Sequence, residues 1–122
     1  MAIEFNITAT SEFFLGEDKE IAWQIFGPDD ATPIDITGWP LIFTLSKTDK
    51  SAALITKAPG SGLSISGSFN SDPGVNAQRV VVVFSPSDTS VLKANFEYRY
   101  RVRRTDSGSI GVLAFGSIVF LQ

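Results

Sequence analysis

Apolar residues recur at every second position along most of this chain, the period of a strand whose successive side chains point to opposite faces. Ile3, Phe5 and Ile7 alternate with Glu4, Asn6 and Thr8. Ile21, Trp23 and Ile25 repeat the pattern before the turn signal Gly27-Pro28-Asp29-Asp30. A short extended piece, Pro33-Ile34-Asp35-Ile36, leads to Thr37-Gly38, a tight turn expected to deliver Trp39 into the core. Leu41, Phe43 and Leu45 share one face of the next strand. Leu54 to Lys57 predicts a short strand closed by Pro59-Gly60-Ser61-Gly62, and Leu63 and Ile65 carry the alternation on toward Phe69.

The second half reads the same way. Asn70-Ser71-Asp72-Pro73-Gly74 is a polar loop tip, and Val80 to Phe84 predicts a strand apolar on both faces. Pro86 to Lys93 is the one helix-like stretch, at most two turns long, with Ser87 or Asp88 as its cap. A long hairpin follows. Phe96, Tyr98, Tyr100 and Val102 face one way, while Glu97, Arg99, Arg101 and Arg103 face the other. Thr105-Asp106-Ser107-Gly108 makes the turn, and Ile110 to Leu121 returns. Short strands at roughly ten-residue spacing, with Gly and Pro between them, predict an all-β fold: an antiparallel sandwich of about 7–9 strands with at most one short helical turn. Residues 1–122 form one domain, within the usual domain size and without repeats or a low-complexity linker.

Composition narrows the chemistry more than the fold. Hydrophobic residues make up 43% and charged residues 19%, an ordinary globular balance that argues against disorder. The chain holds no Cys and no His, so disulfides, thiolate nucleophiles, Cys/His zinc sites and an imidazole base are all absent. Met1-Ala2-Ile3-Glu4-Phe5 does not read as a signal peptide, and no apolar run approaches the roughly 20 residues of a membrane span. The net charge of −3 offers no general attraction for nucleic acid. It is unevenly spread: residues 1–50 carry nine acids and three bases, residues 51–122 four acids and seven bases. Two readings fit: strands of opposite sign pairing inside one subunit, or neighbouring copies meeting head to tail.

Four stretches, taken in order, match the pattern of a known family. The first is Gly16-Glu17-Asp18 before the strand Ile21 to Phe26. The second is Gly27-Pro28-Asp29 with Pro33-Ile34-Asp35-Ile36-Thr37-Gly38-Trp39, where the family reads dG-x-P-x-D-L-T-G. The third is Leu92 with Phe96-Glu97-Tyr98-Arg99-Tyr100, against L-x-x-G-x-Y-x-Y-x-v. The last is Gly108 with Val112-Leu113-Ala114-Phe115-Gly116 and the closing strand. In this order they resemble a family of small Ig-like β-sandwich domains in tailed-phage structural proteins, similar to the N-terminal domain of baseplate upper proteins, and the resemblance spans residue 13 to the C-terminus. It departs from the pattern in the longer loop Ser68 to Ala77 and in Asn95, which stands where Gly is usual and which also tolerates a left-handed conformation. A fibre or collar region is not part of the sequence, so fibre anchoring does not transfer with the rest. The resemblance implies an Ig-like sandwich and a corner at Leu92 to Tyr100 in which a tyrosine hydroxyl bonds nearby backbone.

Four groups of residues compete for a functional reading. Arg99, Arg101 and Arg103, with Arg104 beside them, put guanidiniums on one strand face, where a partner's carboxylates or a phosphate backbone would meet them. The structural alternative pairs them with acids on a neighbouring strand of the same subunit. The strand Ile3, Phe5, Ile7 within residues 1–12 is either an ordinary first strand or a docking arm that adds to a neighbour's sheet, and with Phe13 and Phe14 the arm extends over residues 1–15. Asp29, Asp30 and Asp35 lack the alternating spacing of a calcium loop and read as turn formers. Gly60-Ser61-Gly62 precedes a strand, so it has no helix N-terminus to cradle a phosphate.

The resulting expectation is a non-enzymatic virion structural protein of a tailed phage, without cofactor or metal. It would be made in the host cytoplasm and held on the tail, baseplate or fibre-attachment region by other virion proteins and copies of itself. It would have no small-molecule substrate, nucleic acid or membrane partner. Capsid decoration and a carbohydrate- or surface-binding adhesin are the alternative readings.

Overall fold

A computed structural model describes residues 3–4, 19–26, 32–48, 50–105 and 111–120. The described residues form eight strands and one turn of helix: β1 (Ile3–Glu4), β2 (Lys19–Trp23), β3 (Leu41–Ser46), β4 (Ile55–Pro59), β5 (Gly62–Ser66), β6 (Arg79–Phe84), α1 (Pro86–Thr89), β7 (Glu97–Arg104) and β8 (Gly111–Val119). The all-β expectation holds. The arrangement differs from two separate antiparallel sheets, because the strands hydrogen-bond in one continuous order, β1-β8-β7-β3-β4-β5-β6-β2. That sheet is mixed: β1 runs parallel to β8 and β4 parallel to β5, and the other pairs are antiparallel.

β4 makes the difference. Its first three residues pair with β3, and Ala58 and Pro59 then pair with β5. The chain swings from one half of the sheet to the other through Gly60 and Gly62, both at positive φ, a conformation that glycine adopts without steric cost. The halves meet across a common core. Trp23 of β2 lies 5.4 Å from Tyr100 of β7 and donates its indole N–H to the tyrosine hydroxyl at 3.2 Å. Phe43 of β3 packs on Phe84 of β6, and Phe84 meets Phe120 in a T-shaped, edge-to-face contact. These residues are far apart in strand order, so their contacts require the sheet to fold over on itself.

Alternation accounts for which side chains fill that core. Leu41, Phe43 and Leu45 point in while Ile42, Thr44 and Ser46 are half-buried on the outside, and Tyr98, Tyr100 and Val102 point in from β7. β6 obeys the same rule where the sequence predicts burial on both faces. Val80, Val82 and Phe84 are buried, but Val83 points to the outer side of the sheet and is 42% exposed. Two further expectations shift at the edges. Trp39 packs against the core only partly buried, with the Arg104 guanidinium 3.8 Å from its ring centroid. Phe96 precedes β7 and is 39% exposed, although its ring touches Tyr98.

The connections are held by local hydrogen bonds. Asp35 Oδ1 accepts from the Thr37 N–H and hydroxyl, and Trp39 N–H reaches Ile36 O across a turn with Gly38 at φ +76°. Pro33 forms only an isolated bridge with Phe26, so the predicted extended piece is a strap and not a strand. Helix α1 is one turn, shorter than its eight-residue signal. Its N-cap is Ser85, not Ser87 or Asp88, and Asp88 is the third residue of a capping box that returns a bond to the Ser85 N–H at 2.7 Å. The turns at residues 27–30 and 106–108 lie outside the described residues.

Candidate functional site

Arg99, Arg101 and Arg103 take up the outer face of β7 because their neighbours Tyr98, Tyr100 and Val102 are committed to the core. The strands on either side supply no acid in register with them. Arg99 sits opposite Ser46 and Ser117, Arg101 opposite Thr44 and Phe115, and Arg103 opposite Ile42 and Val112. The register between β7 and β8 shifts at Val102/Arg103, an irregularity that twists the end of the row. Arg99 and Arg101 make further contacts with the chain, which five guanidinium donors can accommodate alongside an external acceptor. Arg103 Nε is shut off from solvent with no acceptor. An unmet buried donor of this kind costs about 1–3 kcal/mol.

The arginines border a groove of about 210 Å³ whose other lining is Thr44, Ser46, Ser51 and Ala53. Its far wall is pinned. Ser46 donates its hydroxyl to Thr48 O at 2.7 Å, the Thr48 and Ser51 hydroxyls are 2.7 Å apart, and Leu54 N–H returns to Leu45 O at 2.7 Å. The groove is therefore a shallow, hydroxyl-lined and positively charged trough on a rigid floor. It is suited to oxyanions, since guanidinium forks donate to carboxylate or phosphate oxygens.

The other candidates resolve differently. Ile3 and Glu4 pair in parallel with Ala114 and Phe115 of the same chain, so this part of the N-terminal segment extends its own sheet. Phe5, Ile7, Phe13 and Phe14, and with them most of the proposed arm, lie outside the described residues. Asp35 belongs to a polar tie: Gln78, 4% exposed, donates to Asp35 Oδ1 and Thr37 Oγ1 and accepts from the Ile36 N–H. Bonds from the Thr37 hydroxyl, the Thr37 N–H and Gln78 hold the Asp35 carboxyl below its ordinary pKa. Asn76 continues the tie to Gln24 and to the loop at Asn70. Gln78 is not foreseeable from sequence, because a lone Gln next to a β-strand carries no motif. Its geometry is that of a structural clasp.

Among the described residues no group of three or more acids is placed to hold a metal ion, and no helix is long and apolar enough to cross a membrane. Trp23 is buried and the Trp39 ring carries Arg104 on one face. Tyr98 Oη accepts from the Lys93 N–H at 2.6 Å, five residues upstream, and Asn95 between them adopts φ +61°. This is the corner that the Leu92 to Tyr100 motif implied. Comparisons with protein-family models, with curated proteins and with solved structures each found no match.

Proposed function

We propose that this chain is a non-enzymatic structural protein of a tailed-phage virion, an assembly module present in many copies in the tail, baseplate or fibre-attachment region. The observation that carries the reading is the row of Arg99, Arg101 and Arg103 on the outside of a well-packed sheet, bordering a preformed groove. Docking surfaces of this kind set register and encounter rate through charge more than they set affinity. The hydroxyl bond of Tyr98 at the corner and the left-handed Asn95 support kinship with Ig-like baseplate domains, since both reproduce backbone features of the motif. An adhesin reading would need a solvent-facing aromatic platform, and neither tryptophan offers one free on both faces.

Replacing Arg99, Arg101 and Arg103 together with Ser tests the proposal in phage-producing cells. The variant is expected to fold, by circular dichroism, and to be depleted at least ten-fold from purified particles relative to the parent. Cryo-EM of the parent particles then locates the domain. Absence of the parent chain from purified particles overturns the virion reading, and undiminished incorporation of the variant overturns the role of the arginine row.

A further inference from the structure

Building on that reading, we infer that the groove beside β7 binds an extended peptide segment with acidic side chains at alternate positions. Residues two apart on a strand lie about 6.6–6.8 Å from each other on the same face. Arg99, Arg101 and Arg103 therefore present guanidiniums at the same period as the side chains of any other extended chain. A partner segment laid along the trough reads one carboxylate per arginine, and bidentate forks favour carboxylates held in plane and in register.

The surroundings fit this occupant. Glu97 closes the row with the opposite charge, so an acid beyond the third position is repelled and the segment is fixed in register. Thr44 and Ser46 form a polar floor between β7 and the pinned wall at Ser51. The enclosed Nε of Arg103 gains an acceptor if the side chain turns toward a ligand carboxylate. Nucleic acid is the weaker match: among the described residues, those lining the groove include no aromatic side chain for base stacking.

The test uses the full chain and two synthetic peptides of equal composition, one alternating glutamate and serine with three glutamates, the other with its three glutamates adjacent. Isothermal titration at low salt is expected to show the alternating peptide binding at least ten-fold more tightly. Arg101→Ser removes that preference, and Arg101→Lys keeps the charge but loses most of it because the fork is gone. Should Arg101→Ser fail to fold, Ser51→Tyr on the exposed far wall fills the trough without altering β7 and abolishes binding. Equal affinity for the two peptides, or tighter binding of a single-stranded oligonucleotide of equal charge, overturns the inference. If the peptides bind alike while the triple arginine variant is still lost from particles, the docking role stands and the strand register falls. If the alternating peptide is preferred but the chain is missing from particles, the groove assignment stands and the virion role falls.

Discussion

Tyr98 and Gly67 illustrate how much can rest on one atom. Tyr98 is buried in the core, yet its hydroxyl reaches the Lys93 N–H at 2.6 Å and ties the crossover after α1 to the start of β7. Tyr98→Phe leaves that N–H without its acceptor and is expected to cost about 1–2 kcal/mol in urea unfolding, with the spectrum of the folded state unchanged. Gly67 sits at φ +84° where a Cβ would come 2.0 Å from Ala77 O, so the backbones of the two loop stems are too close for any side chain. Gly38 has a similar φ of +76° but open space around it. Gly67→Ala is therefore expected to destabilise by more than 2 kcal/mol and Gly38→Ala by only about 1 kcal/mol, a ranking that thermal melts of the two variants check. The left-handed Asn95 was readable in advance because Asn is among the few residues at ease there. The close approach at Gly67 was not, since it depends on where a residue ten positions away returns.

At the scale of elements, the short helix α1 depends on its first turn. Ser85 and Asp88 satisfy each other's backbone donors, and Asp88 also meets Lys57 of β4 at 2.7 Å. Burial disfavours ionisation of Asp88, but bonds from Lys57 and from the Ser85 N–H and hydroxyl outweigh it, so its carboxyl titrates below the ordinary 3.8. A depressed carboxylate stabilises the fold fully above its unfolded value, and that contribution is lost as pH falls through the folded one. Stability from this pair is thus expected to be flat above about pH 5 and to decline below about 4, and Asp88→Asn removes the part of the decline it causes. Ser85→Ala should cost about 0.5–2 kcal/mol. A short helix was legible from Pro86 and the polar residues around it. The choice of cap was not, because Ser85, Ser87 and Asp88 are all competent and only the path out of β6 decides which one meets the exposed N–H groups.

For the molecule as a whole, the aromatic cluster is the unit of cooperativity. Phe43 touches Trp23, Phe84 and Tyr100, and so joins strands from both halves of the sheet. Loss of either half strips the other of its packing, so the domain is expected to unfold in one step. Tryptophan fluorescence, sensitive to Trp23 in the core and Trp39 at its margin, should give the same midpoint in urea as far-UV circular dichroism; separated transitions would show the halves to be independent. Phe43→Ala is expected to cost about 3–5 kcal/mol, a large share of the 5–15 kcal/mol typical of a domain. It should lower both signals together.

Period-two alternation determined the strands, the inward set on β3 and β7, and the outward arginine row, because a strand's side-chain parity is local and needs no partner to express it. Turn chemistry at Thr37-Gly38 and Asn95 was equally local. Tertiary structure alone decided that β4 would serve both halves of one mixed sheet, that Val83 would be left outside, and that Trp39 would stop at the core's margin beneath Arg104. It also decided that β3 and β8 would flank the arginines with hydroxyl and apolar residues and no acid in register. These outcomes depend on which strands become neighbours. Strand neighbours are chosen by the packing of residues distant in sequence, which alternation along a single strand does not encode.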